Sequence, residues 1–174
     1  MKITSWLDPT VKVIATIIAI FGVWRFFDER AEEAQAARED RALSYIARFG
    51  GSEMVAAREA LLDFWRRYPD FAAEVRARSL TPREYEGFVN AAYPVDPARS
   101  EVDAALFRIL VFYDELAFCH RAGTCDKAIL LGFFCDYATQ HNRTYAPFHA
   151  RLAVEIGAND LGRHLDELAD ACPD

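Results

Sequence analysis

The stretch VKVIATIIAIFGVWRFFDER, Val11–Arg30, decides how the chain is read. From Val13 to Trp24 twelve residues pass without a charge, closed by Lys12 and Arg25. A membrane-spanning helix needs about 20 apolar residues, so the uncharged run alone is short. Lys and Arg, however, lay their stems along hydrocarbon and keep their charges among the headgroups. At about 1.5 Å per residue, Lys12 and Arg25 sit roughly 20 Å apart, leaving about 5 Å of hydrocarbon at each end for the stems. Ile14, Ile17, Ile18 and Phe21 lead a set of side chains whose insertion is favourable by on the order of 3 to 5 kcal/mol. Trp6 and Trp24 lie where interfacial aromatics belong.

Two other readings compete with a span. A secretory signal closes on a small-residue cleavage site, whereas this run continues as GVWRFFDER and meets Ala34–Ala36 only far downstream. A buried core helix can also show an apolar run this short. The reading is an uncleaved single-span anchor carried by Trp6, Lys12, Ile14, Ile17, Ile18, Phe21, Trp24 and Arg25. Arg25, Arg30, Arg38 and Arg41 follow the span, against the amino terminus, Lys2 and Lys12 before it. The positive-inside rule then places the C-terminal domain on the cytoplasmic side of a bacterial inner membrane.

Working outward, residues 1–49 read as the anchor and a juxtamembrane helix, and 50–174 as a globular helical domain. Pro9 favours a helix start behind Asp8, and no further Pro occurs before Pro69. One helix over about 9–48 is predicted, roughly 60 Å long. Its Ala-, Glu- and Arg-rich second half is a solvated helix rather than a coiled coil, because Arg38 and Arg41 fall where the heptad would continue. It should join the domain near Leu43, Ile46 and Phe49.

Gly50-Gly51 ends this helix, and Ser52 is the expected cap of the next, with Met54, Leu61, Phe64 and Trp65 on its apolar face. A short helix follows Pro69, and Thr81-Pro82-Arg83-Glu84 is a capping box. AAYPVDPARS, at 91–100, is the clearest internal linker. Ser100 and Asp103 open the most apolar downstream helix, with Leu106, Ile109, Leu110, Val111, Phe112, Tyr113, Leu116 and Phe118 around most of its circumference, so it should be the central core element. Gly123 ends it, Thr124 caps the next, and three helices follow, at about 125–140, 145–156 and 159–171. Period-two patterns are absent. The fold class is all-α: one N-terminal transmembrane helix continuing into a juxtamembrane helix, then a compact multi-helix domain.

Composition bounds the function. The 174 residues are 52 % hydrophobic and 27 % charged, which suits one soluble-type domain with a real core. Twenty Lys+Arg against 27 Asp+Glu give a net charge of −7, the wrong sign for neutralising nucleic-acid phosphates. The eight glycines form no phosphate loop, dinucleotide fingerprint or nucleophile elbow. Asp114-Glu115 are adjacent and diverge around a helix, and Asp166, Glu167 and Asp170 read as a solvated acidic face. Asn142-Arg143-Thr144 is a chance match to a glycosylation acceptor.

The densest candidate for chemistry is FCHRAGTC, with Cys119, His120 and Cys125. Thiolate and imidazole suit zinc, but the spacing is not that of a standard knuckle. A Cys119–Cys125 disulfide across the turn is sterically feasible, and it would require an oxidising compartment. The leading expectation is that both are reduced, small apolar residues near the core, since four cysteines in this length make no disulfide scaffold. No cofactor is indicated.

The span, the charged helix after it and ILVFYDELAFCHRAGTCDKAILLGFFCDYATQH, at 109–141, together resemble a bacterial membrane-anchored helical family catalogued as domain of unknown function 4760. The shared features are Asp114-Glu115 ending an apolar helix, Gly123 in the turn, and Asp126 through Phe134 as an acid-capped apolar helix. The cysteines around the turn lie outside that pattern. The resemblance implies a membrane-anchored helical domain and no catalytic residues. The function predicted is a non-enzymatic accessory or scaffold subunit of a membrane protein complex, with the lipid bilayer, other membrane proteins or a second copy as partners and no nucleic acid. The alternative is a thiol- or metal-responsive sensor at the Cys119/His120/Cys125 turn. A small-molecule pocket between the helices is a third reading, on which the sequence is silent.

Overall fold

The structure, a computed structural model, describes residues 9–77, 80–158 and 160–172, with the side chains of 9–12, 72, 75 and 76 excepted. Trp6 and the Asp8 cap therefore lie outside the described residues, as does the Lys12 side chain. Among the described residues there are seven α-helices and no strand, as the all-α reading predicts. They are α1 (Pro9–Phe49), α2 (Ser52–Arg67), α3 (Pro69–Ala77), α4 (Pro82–Ala92), α5 (Arg99–Arg121), α6 (Lys127–Ile156) and α7 (Arg163–Asp170).

α1 runs 41 residues without a break, because nothing between Pro9 and Gly50 interrupts its backbone hydrogen bonding. It enters the body through Ala42, Tyr45, Ile46 and Phe49; the predicted contact at Leu43 is not made, and that side chain is 53 % exposed. Phe49 is the buried end of the helix. Its ring meets Phe112 of α5 at 5.5 Å and Phe134 of α6 at 5.4 Å, so one residue joins three helices.

α5 is the central element. Leu106, Ile109, Leu110, Phe112, Tyr113 and Leu116 are buried, on nearly every side of the helix. Val111 and Phe118 are the exceptions, exposed on one strip. Around it α2 supplies Met54, Leu61 and Phe64, and α4 supplies Val89 and Ala92. The α4 start follows the sequence: Thr81 Oγ1 accepts from the Glu84 backbone N–H, and the Glu84 carboxylate accepts from the Thr81 N–H.

The linker at 91–100 is more ordered than its prolines suggest. Tyr93–Val95 form one 3₁₀ turn, and Asp96, 5 % exposed, accepts both arms of Arg67 and the Ala98 N–H. Its carboxyl is held below the ordinary carboxylate range: burial pushes it up, but Arg67, the Ala98 N–H and Tyr68 together outweigh burial. A charge removed from water is tolerated here because both carboxylate oxygens accept from donors, two of them on a charged guanidinium.

Other local readings are corrected. Gly51, not Ser52, is the N-cap of α2, without a side-chain bond; Ser100 gives no cap to α5, whose N-cap is Ala98. The predicted break between 140 and 145 is absent, and α6 passes through Pro147 as one 30-residue helix. A proline inside a helix costs about 3 kcal/mol. Here Leu130, Phe134 and Ala138 before it and Phe148, His149 and Leu152 after it are all buried, and continuous packing on both sides outweighs that cost. Gly157, at φ 70, then ends α6 in the left-handed conformation only glycine adopts without strain.

Candidate functional site

Two features of the molecule require a functional explanation: the free length of α1 and the cysteine turn beside it. Every described side chain from Val13 to Ala34 is exposed. Ten of them are large and apolar: Val13, Ile14, Ile17, Ile18, Ile20, Phe21, Val23, Trp24, Phe26 and Phe27, all between 52 and 66 % exposed. They point to all sides of the helix, so no single packing partner within the chain could cover them. Fully covering an aliphatic or aromatic side chain of this size is worth about 1.5 to 3 kcal/mol, so ten left in water are a large unmet driving force. Arg25 pairs with Glu29 one turn on, at 2.9 Å, which marks the polar end of the run. Among the described residues no helix is long and apolar enough by itself to cross a membrane.

The free length ends at a collar. Gln35 donates to the Asp126 carboxylate at 2.7 Å, the Arg38 carbonyl accepts from the Asp126 N–H at 3.0 Å, and Arg41 reaches the Thr124 carbonyl at 3.3 Å. All three partners belong to the turn between α5 and α6. Gly123 makes that turn possible at φ 62, and Asp126, not Thr124, caps α6 by accepting from the Ile129 N–H at 2.9 Å. The Asp126 carboxyl is held low, chiefly by the Ile129 N–H and then by Gln35, so the collar keeps its charge at ordinary pH.

The turn is closed covalently. Cys119 and Cys125 form a disulfide with 5.5 Å between their Cα atoms, and Cys135 of α6 forms a second one with Cys172 just beyond α7. No described cysteine is free. The expectation of reduced, apolar cysteines is overturned, and so is the dismissal of a disulfide framework. The physical reason is placement: the helical hairpin brings Cys119 and Cys125 to bonding distance, and the packing of α7 on α6 does the same for a pair 37 residues apart. With their sulfurs joined, Cys119 and Cys125 offer neither a thiolate nucleophile nor a thiolate metal ligand. His120 lies on the last turn of α5, its pKa lowered by burial and by nearby Lys127. Among the described residues no group of three His, Cys, Asp or Glu is placed to hold a metal ion.

A row of apolar side chains also lies open on the body. Phe107, Val111 and Phe118 occupy one face of α5, at helical spacings of four and seven, with Phe118 65 % exposed beside Arg41 and Ser44. Sequence patterning missed this strip, because a helix apolar all round looks wholly buried. Asn142, in the glycosylation-like triplet, instead donates to Asp166 at 2.7 Å. Compared with protein-family models, with curated proteins and with solved structures, the chain finds no match.

Proposed function

We propose that this is a single-span membrane protein whose helical body serves as a non-enzymatic accessory subunit, docking on another membrane protein. The observation that carries the reading is the belt of ten exposed apolar side chains between Val13 and Phe27. A bilayer covers such a belt on all sides at once; a protein partner would favour one stripe. The belt from Val13 to Phe27 extends about 21 Å at about 1.5 Å per residue, short of a hydrocarbon core of about 30 Å, so the reading relies on Lys12 and Arg25 reaching the headgroups with their long stems. The collar at Asp126 then fixes the direction in which the span leaves the body.

The arginine count favours a cytoplasmic body, but two disulfides weigh more heavily the other way, because cytosolic thiols are kept reduced. The proposed body therefore faces the oxidising side. The docking role draws on the open strip Phe107, Val111 and Phe118, since a soluble surface seldom leaves aromatic side chains aligned and uncovered.

Alkaline carbonate washing of membranes from producing cells tests the anchor. The full chain should stay in the pellet and the chain lacking residues 1–34 should be released; release of both removes the reading. A photo-crosslinking residue at position 118 tests docking. Adducts lost on Phe107→Asp support the role, and a monomeric, adduct-free chain in native membranes ends it.

A further inference from the structure

We infer that the body carries a binding site for a small carboxylate with a planar apolar body, in the cavity between α2, α5 and α6 that Arg58 and His141 both line. This site is independent of the membrane reading. The cavity has a volume of about 250 Å³ and is partly open to solvent. A cavity of about 150 Å³ suffices to hold benzene, so this one admits a single ring with a carboxylate attached. Its walls are chiefly aromatic: Phe49, Tyr113, Tyr137 and Tyr145. Phe49 and Tyr137 lie 5.0 Å apart, and His141 lies 4.6 Å from the Tyr145 ring, leaving flat surfaces for an aromatic guest to pack on.

Two polar groups on these walls are incompletely used by the protein. Arg58 donates from Nε to the Met54 carbonyl and from Nη2 to the Phe49 carbonyl, and its guanidinium stacks over the Phe49 ring at 4.3 Å. These contacts fix the group in place, yet among the described residues no carboxylate pairs with it, although the chain carries 27 acidic side chains against 20 basic ones. A half-buried, positioned guanidinium without a counter-ion is a ready partner for an anion, and the carboxylate is the anion its fork matches. His141 lines the same cavity, and its buried Nε2 has no hydrogen-bond partner. Burial and neighbouring His149 keep His141 neutral, so the charge of the guest is read by Arg58 alone.

Arg58 binds a carboxylate oxygen in this arrangement, the His141 ring packs against the guest, and Gln140 and Thr144 complete the lining. The site uses residues from separate helices whose spacing in sequence, 58 and 141, carries no motif. Packing alone unites them.

The test uses the full chain in lipid nanodiscs, with empty nanodiscs as the blank, and ligand-observed fluorine NMR of 4-fluorobenzoate and 4-fluorobenzamide. The benzoate should bind saturably with Kd below about 1 mM, at least tenfold more tightly than the uncharged amide. Arg58→Gln should abolish that preference, and Thr144→Phe, which fills the cavity without touching the Arg58 contacts, should abolish binding of both. If Arg58→Gln does not fold, the acid-to-amide ratio in the unaltered protein decides the question. No saturable benzoate binding, an acid-to-amide ratio near one, or full binding in the Thr144→Phe chain would each overturn the inference.

Discussion

Between Val13 and Ala34 every described side chain of α1 is exposed; between Ala42 and Phe49 the same helix inserts Ala42 and Phe49 into the aromatic core. The two segments share a backbone geometry but differ in what stabilises them. The inner one is held by rings from α5 and α6 and by the Asp126 collar. The outer one has intrahelical hydrogen bonds and, among the described residues, no tertiary packing over its apolar belt. Helical continuity is therefore a coupling device: whatever solvates the belt is fixed in direction relative to the body. It also means that the two segments should respond to different perturbations.

The largest effect is expected where the inner segment is cut from the core. Phe49→Ala should destabilise the body by about 3 to 5 kcal/mol, read from the denaturant midpoint, and leave membrane partition unchanged. A loss below about 1 kcal/mol would mean that α1 is not part of the core. The reciprocal change is Ile18→Arg, near the middle of the belt. It replaces a favourable insertion term with an unfavourable one, about 3 to 4 kcal/mol in all, and should release much of the chain from membranes while the body melts as before. If both variants altered both readouts alike, the two segments would not be separable.

The disulfides sharpen the contrast within the body. In the chain-entropy account a cross-link between residues 37 apart is worth about 4 kcal/mol and one between residues 6 apart about 2 kcal/mol. Cys135→Ser with Cys172→Ser should therefore lower the unfolding midpoint more than Cys119→Ser with Cys125→Ser. The second pair, however, sits at the collar and should be the one that loosens α1, seen as faster amide exchange from Gln35 to Arg41.

The most gradual effect is on pH. Burial lowers the His141 pKa to about 3, with a further push from His149, and burial lowers the His149 pKa to about 4. Unfolded, each titrates near its ordinary value of about 6.5. Between about 6.5 and 4 the unfolded chain thus binds protons the native body refuses, so stability is complete above about 6.5 and falls as the pH drops. The decline should approach about 1 kcal/mol per pH unit for each histidine. His149→Gln should flatten the profile of the body and leave membrane partition untouched, and an unaltered slope would contradict the burial of that ring.

Much of this was legible in the sequence where local chemistry is decisive. The double glycine ends α1, the Thr81–Glu84 capping box starts α4, and the apolar density around Leu106–Leu116 marks the core helix. What escaped depends on tertiary contact. The break expected between 140 and 145 is closed by burial on both sides, and Cys135 finds Cys172 only through the packing of α7. The second disulfide also bears on topology, because the side of the membrane that charge counting favours is not the side on which disulfides persist.

The central claim is an apolar belt in the bilayer with a disulfide-closed body on the oxidising side. It is tested most directly by protease treatment of intact spheroplasts, followed by a count of free thiols in the protected and digested material by maleimide–polyethylene glycol mass shift. The account predicts a body digested from outside, with no free thiol before reduction and four after it. A body protected until the membrane is broken, carrying four free thiols from the start, would contradict it.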